Sequence, residues 1–261
     1  MRITVIPLAL ALTLALAVPA LAHFGMVIPS NPAFTAQSRT VDLDLSFSHP
    51  FEGVGMELVK PEAFFVEAGG QRTDLLGDLE KATVMGHPAW SADYTAKRPG
   101  AYRFAMEPQP YWEPAEDAFI IHYTQTIMPA YGGESGWAEP LGLKTEIVPL
   151  TRPFGNYAGN VFTGKVLLDG EPVPHAEVEV ELYNRGRFEA PSEYHVTQLV
   201  IADENGVFSF ACPEPLRYAL GERTSFTANV ADQGKTASRR IELIETIRAT
   251  ARLAGQLDVA R

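Results

Sequence analysis

The sequence contains almost no cysteine, since Cys212 is the single cysteine among 261 residues. One thiol cannot form an internal disulfide, so packing must stabilise the fold even in an oxidising compartment. The sequence also lacks a G-x-S-x-G elbow, an H-E-x-x-H helix and a phosphate-binding glycine loop. Because the common hydrolase, zinc-protease and nucleotide-binding motifs are missing, we expect a protein that is not an enzyme.

Basic residues are outnumbered, with 21 Lys and Arg against 32 Asp and Glu, which gives a net charge of −11. An acidic surface repels nucleic acid, so we expect no nucleic-acid partner. The one apolar run of nearly membrane-spanning length, Ile3 to Val18, follows Arg2 and precedes Pro19 and a small-x-small signal at Ala20-Leu21-Ala22. We therefore predict a signal peptide over residues 1–22, cleaved after Ala22, and a mature protein that is periplasmic and soluble.

Long stripes of helical period are absent until the last 25 residues, and short alternating runs separated by Gly and Pro dominate. This pattern predicts an all-β fold of two β-sandwich modules, immunoglobulin-like or transthyretin-like, with a short C-terminal helix. We place the N-terminal module at 23–150, the second at 151–238, and an amphipathic helix or tail at 239–261. The predicted strands are 41–48, 56–60, 63–67, 90–95, 100–106, 118–125, 143–148, 161–168, 176–183, 198–202 and 207–211.

The second module carries a recognisable run of turn and strand signals. The turn Asp169-Gly170 predicts a hairpin between Val161–Leu168 and Ala176–Tyr183, in which valines alternate with glutamates. The turn Asp203 to Gly206 predicts a second hairpin of the same kind. The motifs D-G-x-P-V-P, A-x-V-x-V and D-E-N-G-V-F-S-F resemble the transthyretin-like or carboxypeptidase-regulatory-like sandwich, a resemblance that implies a fold and no specific function.

Cleavage after Ala22 would make His23 the new N-terminus. A free α-amine and the imidazole Nδ1 of the same residue can close a six-membered chelate ring on one metal ion. These nitrogen donors suit divalent copper, nickel, cobalt and zinc. The unperturbed pKa of an α-amine, about 7.7–8.0, allows proton loss on metal binding near neutral pH. An idle, solvated terminal histidine is the alternative.

Two further histidines stand out by their positions. His49 ends a predicted strand just before Pro50, where its imidazole would lie at a sheet rim, and His122 interrupts an apolar strand in phase with Ile120 and Thr124. A hydrogen-bonded turn histidine and a satisfied core histidine are the alternatives for the two. Glu57 and Glu113 are candidate oxygen ligands. We predict that His175 and His195 are surface residues and that His87 lies in a loop.

Several segments together resemble one family. They are Ala22-His23-Phe24-Gly25-Met26 with Pro29-Ser30, Phe47 to Glu52, Met56 to Pro61, Pro110 to Pro114, Phe119 to Tyr123 and Arg152 to Gly155. These motifs are similar to those of an exported domain-of-unknown-function family found with bacterial nickel/cobalt uptake transporters of the energy-coupling-factor type. The resemblance spans roughly His23 to Phe210. After Phe210 the family has a Gly- and Trp-rich segment that this chain lacks.

The resemblance implies a periplasmic accessory protein that binds Ni(II) or Co(II) and assists an inner-membrane nickel/cobalt permease. His23, His49 and His122 lie inside the matching motifs and are therefore the expected nitrogen ligands, with Cu(II) or Zn(II) as alternative ions. Two other classes remain open from the residues alone. One is a copper-dependent oxidative enzyme with an N-terminal histidine brace built from His23 and His49, and the other is a non-catalytic adhesion or interaction module.

Overall fold

The computed structural model describes residues 24–113, 118–157, 159–187 and 189–211, together with the backbone of four later strands at 224–229, 241–244, 246–249 and 251–253. The predicted signal peptide and His23 lie outside the described residues, and so does Cys212. Nearly all regular structure in the described part is β, which confirms the predicted all-β class.

The described part contains twenty-one strands and two short 3₁₀ turns, at Leu76–Asp78 and Glu193–His195. The strands are β1 Phe24–Pro29, β2 Thr40–His49, β3 Val54–Met56, β4 Ala63–Ala68, β5 Gln71–Asp74, β6 Glu80–Val84, β7 His87–Thr95, β8 Gly100–Glu107, β9 Tyr111–Glu113, β10 Ala118–Ile121, β11 Thr124–Ala130, β12 Thr145–Pro149, β13 Val161–Leu168, β14 Glu171–Pro172, β15 Glu177–Leu182, β16 Thr197–Ile201, β17 Val207–Ala211, β18 Thr224–Asn229, β19 Ile241–Ile244, β20 Thr246–Ala249 and β21 Ala251–Leu253.

Two packed sheets form the N-terminal sandwich. One sheet has the order β1-β2-β7-β6, with β3 also paired to β2, and the other has the order β19-β20-β11-β8-β4-β5. Period-two alternation in β2 explains its orientation, because Val41, Leu43 and Leu45 are fully buried whereas Asp42 is exposed. These side chains join Phe64, Phe104 and others from the facing sheet in one apolar core.

The second module also consists of two sheets, but its strands pair differently from the prediction. β13 pairs with β12, β14 and β17, whereas β15 lies in the other sheet between β16 and β18. The predicted hairpins between β13 and β15 and between β16 and β17 are therefore wrong, since each predicted pair is divided between the two sheets. Both valines Val178 and Val180 face the core from β15, as the alternation predicted.

The turn Asp169-Gly170 is confirmed, but it leads into the short strand β14. Both residues have positive φ, 51° for Asp169 and 83° for Gly170, which fits a two-residue hairpin loop whose twist matches that of the strands. The hairpin has two residue pairs, Leu168 with Glu171 and Leu167 with Pro172, and β14 ends at Pro172, which has no N–H for the ladder. The chain then crosses to the other sheet before β15 begins.

A second apolar core connects the two modules. It contains Phe65, Ile121 and Ile127 from the N-terminal sandwich and Phe162, Val178 and others from the second module. The β4-β8-β11 sheet is therefore covered on both faces, by the β1-β2-β7-β6 sheet on one side and by the second module on the other.

The predicted C-terminal helix is wrong, because the segment forms the strands β19, β20 and β21. β20 pairs with β11, and β21 pairs with β10, so the end of the chain returns to the N-terminal sandwich. The sequence is compatible with this result. Isoleucine at 241 and 247 favours strands, and from 247 to 253 apolar residues alternate with the polar residues Arg248, Thr250 and Arg252 at a period of two rather than 3.6.

Within the part of the chain that the structure describes, none of the helical turns has the length and apolar character needed to cross a membrane.

Candidate functional site

The candidate site begins where β1 begins. All six residues of β1 are buried, and the strand lies at the edge of its sheet, antiparallel to β2. Phe24 is paired with Ser48 and Gly25 with Phe47. The first described residues of the chain therefore lie beside the end of β2, the strand whose last residue is His49.

His49 is buried, with 3% of its surface exposed. Its imidazole packs edge-to-face against the ring of Phe24, with 6.1 Å between the ring centroids. Its Nδ1 atom lies 3.5 Å from Oε2 of Glu52, and its carbonyl accepts a hydrogen bond of 2.9 Å from the N–H of Gly53. The tight turn after β2 thus returns a carboxylate to the imidazole three residues before it.

Glu52 is the acidic residue that the structure places next to His49. Partial burial raises the pKa of the Glu52 carboxyl above its usual range. A carboxylate beside Nδ1 favours the tautomer that carries its proton on Nδ1, which leaves the lone pair on Nε2. That nitrogen is itself buried.

His122 occupies the break between β10 and β11 and is almost fully buried, with 1% of its surface exposed. The prediction of one continuous strand from Ala118 to Gln125 is wrong, because the pairing stops after Ile121 and resumes at Thr124. The ring of His122 stacks on Tyr111, with centroids 5.6 Å apart at 21°, and meets the ring of Phe47 edge-to-face at 4.8 Å.

Gly25 allows β1 to approach His122 closely. A Cβ atom placed on Gly25 would lie 2.8 Å from Oγ1 of Thr124 and 3.0 Å from Cβ of His122. The hydroxyl of Thr124 bridges the two segments, because Oγ1 is 3.1 Å from the carbonyl oxygens of both Gly25 and His122. Two residues further along each strand this arrangement repeats, since the hydroxyl of Thr126 donates to the carbonyl of Val27 at 2.8 Å.

The two histidines therefore lie at one end of the N-terminal sandwich. His49 contacts Phe24, and His122 packs against Gly25, so both flank the start of β1. Phe47 is two residues before His49 on β2, and its ring touches the ring of His122. Their surroundings are mostly apolar and aromatic.

The other predicted site residues lie elsewhere or outside the described atoms. Glu57 follows the end of β3 and is exposed. Glu113 is described by its backbone, which pairs with Ala118 across the β9–β10 hairpin. His175 and His195 are exposed, as predicted, whereas His87, predicted to lie in a loop, is the first residue of β7.

Sequence reasoning missed Glu52, Gly25 and Tyr111 at this site. Glu52 had a usable signal, since a carboxylate three residues after a histidine in a Pro-containing turn can fold back on it. Gly25 had none, because its role depends on a contact with Thr124, 99 residues away in sequence. Across the residues that the structure describes, no three His, Cys, Asp or Glu side chains are grouped closely enough to hold a metal ion.

Comparison with known sequences assigns the chain to a family. A search of curated proteins finds no matching sequence. A family model described as "Domain of unknown function (DUF4198)" matches residues 20–224, a range that includes the start of β1, both buried histidines and most of the second module. The chain belongs to the DUF4198 family.

Proposed function

We propose that the protein binds a divalent transition metal outside the cytoplasm after cleavage at Ala22. In this proposal the α-amine and imidazole of His23 chelate the ion, and His49 and His122 supply further nitrogen donors. Nickel or cobalt is the proposed cargo, and an inner-membrane nickel/cobalt permease is the proposed partner. The chain would act as a binding and delivery component rather than as an enzyme.

The observation that carries this proposal is the position of the two buried histidines at the start of β1. The β1–β2 register pairs Phe24 with Ser48. If this register continued for one more residue, position 23 would lie opposite His49, the spacing at which side chains of an antiparallel pair meet. His122 lies against Gly25, two residues after position 23.

The chemistry of the donors supports a borderline metal ion. Amine and imidazole nitrogens suit Ni, Co, Cu and Zn, whereas Ca and Mg prefer oxygen ligands. A site built on buried histidines would also exclude water, which strengthens the bonds to a bound ion. The preference for nickel or cobalt rests on the resemblance to proteins found with uptake transporters, because isolated nitrogen sites generally bind Cu(II) more tightly.

The burial of both histidines favours binding over oxidative chemistry. A copper enzyme with a histidine brace would need an open coordination position facing its substrate. His49 and His122 are only 3% and 1% exposed. Aromatic rings also pack against both imidazoles. This environment supports a site that holds an ion rather than one that presents it to a large substrate.

Calorimetric titration of the processed protein with Ni(II), Co(II), Cu(II) and Zn(II) tests the proposal. The protein should begin at His23, and a matched form should carry one extra alanine before it. We expect the extension, and also His49→Ala and His122→Ala, to weaken binding by more than about tenfold, roughly 1.4 kcal/mol each. Circular dichroism would verify that each variant is folded.

The exposed residues His175 and His195 provide matched controls, because His175→Ala and His195→Ala each remove a solvent-exposed imidazole of the second module. Their metal affinity should equal that of the unaltered protein. The terminal chelate would be refuted if the alanine extension left affinity unchanged. An ascorbate-driven oxidation assay with Cu(II) addresses the alternative, since turnover that disappears in His49→Ala would favour the enzyme.

A further inference from the structure

We propose that Glu52 is the positioning residue of His49, fixing which ring nitrogen faces a metal ion. This inference rests on the proposed metal-binding function and goes one step beyond it. Glu52 belongs to no ligand set predicted from the sequence. Its role follows from its position beside one specific nitrogen, Nδ1, of the imidazole.

The tautomer of His49 determines which of its ring nitrogens can bind a metal ion. A neutral imidazole has one protonated nitrogen and one nitrogen with a lone pair, and only the latter binds a metal. The carboxylate Oε2 of Glu52 lies 3.5 Å from Nδ1 of His49, and its negative charge favours a proton on that nitrogen. Histidines that bind metals commonly donate their other N–H to a carboxylate in this way, which fixes the tautomer and raises the basicity of the ligand.

The turn that carries Glu52 is held from two sides. Within the turn, the N–H of Gly53 donates to the carbonyl of His49. From the second module, the N–H of Asn184 donates to the carbonyl of Pro50 at 3.2 Å. Asn184 is itself buried. The two modules together therefore hold the turn on which the carboxylate is presented to His49.

Glu52 differs from Glu57 in its position relative to His49. Both glutamates follow β2 in sequence and both are exposed residues, but Glu57 lies beyond the end of β3, whereas the carboxylate of Glu52 lies beside the imidazole. Glu52 is 35% exposed at its side chain and contacts a buried imidazole. Glu52 is thus the glutamate of this region that can orient His49 while keeping its own carboxylate partly hydrated, which limits the cost of desolvation.

The experiment compares Glu52→Ala and Glu52→Gln in the processed full chain starting at His23. Nickel titration should give an affinity about 10–100-fold lower for Glu52→Ala, the usual effect of removing such an outer carboxylate. Glu52→Gln retains an acceptor oxygen and should recover part of this loss. Glu62→Gln, at an exposed glutamate of the same sandwich, serves as the control and should bind like the unaltered protein.

Nitrogen NMR of the metal-free protein reports the tautomer of His49, which should not change if Glu52 only stabilises the fold. We expect His49 to be protonated at Nδ1 in the unaltered protein and to become a mixture of tautomers in Glu52→Ala. Unchanged affinity together with an unchanged tautomer would overturn the role of Glu52 and leave the metal proposal intact. If the unaltered protein binds no metal, the proposed function fails, and with it the inference, whatever the tautomer.

Discussion

Adding one methyl group at Gly25 would change the candidate site directly, because β1 lies against His122 at this residue. The strand β1 approaches His122 so closely at Gly25 that there is no room for a side chain larger than hydrogen. The hydroxyl of Thr124 bridges the backbone carbonyls of Gly25 and His122. A larger residue would push the start of β1 away from His122. The position of any donor at residue 23 depends on that approach.

We expect Gly25→Ala to destabilise the protein by about 1–3 kcal/mol, the usual cost of overpacking a well-filled site. We also expect weaker metal binding than this loss of stability alone would cause, because the start of β1 is displaced. Denaturant unfolding and nickel titration of the processed protein measure the two effects.

Gly77→Ala is the matched control for this substitution. A Cβ on Gly77 would meet no atom within 4 Å, and Gly77 does not have positive φ. Stability and affinity should therefore remain unchanged in Gly77→Ala. Equal effects of the two substitutions would contradict the close approach of β1 to His122.

At the residue level, the sequence identified the histidines but not their surroundings. The sequence singles out His49 at the end of a predicted strand before Pro50 and His122 within an apolar strand, and both are buried at one end of the sandwich. Whether they share an ion with His23 stays a prediction. Gly25 and Tyr111 could not be found, because their roles depend on contacts between segments far apart in sequence, which no local pattern encodes.

At the level of strands, two aspartates face each other across β2 and β7. Asp42 is paired with Asp93 in the antiparallel register, and Asp44 lies two residues further along β2. The hydrogen bond between the carboxyl groups of Asp93 and Asp42, with smaller contributions from desolvation and nearby acids, raises the pKa of Asp93 above its usual value. Like charges at directly opposed positions destabilise a sheet.

The sign of the resulting pH dependence follows from this shift. A carboxyl group whose pKa is higher in the folded state than in the unfolded state favours folding while it is protonated. That contribution is lost as the pH rises from about 4 through the raised pKa of Asp93. We expect Asp93→Asn to raise the melting temperature at pH 7 and to lose this advantage at pH 3.

Thermal unfolding at several pH values measures this effect, with Asp78→Asn as the control. Asp78 is also exposed but lies in a 3₁₀ turn away from the β2–β7 pair. Its substitution should give the same melting temperature as the unaltered protein across the pH range. A lower melting temperature for Asp93→Asn at pH 7 would show that the facing carboxylates do not repel each other.

The positions of most strands could be predicted, whereas their pairing could not. Alternation of apolar and polar residues located β2, β8 and β13 to within about two residues at each end. Strands that are neighbours in sequence are expected to form hairpins, but β13 and β15 lie in different sheets of the second module, and so do β16 and β17. In a sandwich a tight turn and a crossover can follow the same local sequence, so topology depends on the global packing.

The C-terminal segment shows most clearly that local sequence alone does not determine the structure. Isoleucines at 241, 244 and 247 fit a helical spacing as well as they fit strands. The choice between the two depends on whether the segment finds a sheet edge. The strand β21 pairs with β10, and β20 pairs with β11. This pairing provides hydrogen-bond partners for backbone N–H and C=O groups that would otherwise be exposed to water at a sheet edge.

At the level of the whole molecule, the shared core makes the two modules depend on each other. Phe65 and Ile127 pack in the same cluster as Phe162 and Val178, which come from beyond the connection at 149–159. The strands β19 and β20 reinforce this coupling, since they follow the second module in sequence and extend a sheet of the first. Separate unfolding of either module would expose this apolar surface to water.

We therefore expect one cooperative unfolding transition for the processed chain, with equal calorimetric and van't Hoff enthalpies. Phe162→Ala, in β13, should destabilise the protein by about 3–5 kcal/mol and lower the hydrogen-exchange protection of β2 amides as much as that of β13 amides. Tyr194→Ala, at a residue that is 87% exposed in the same module, should change neither. Two resolved transitions, or β2 protection that survives Phe162→Ala, would mean that the modules fold independently and that Asn184 cannot transmit order to the turn carrying Glu52.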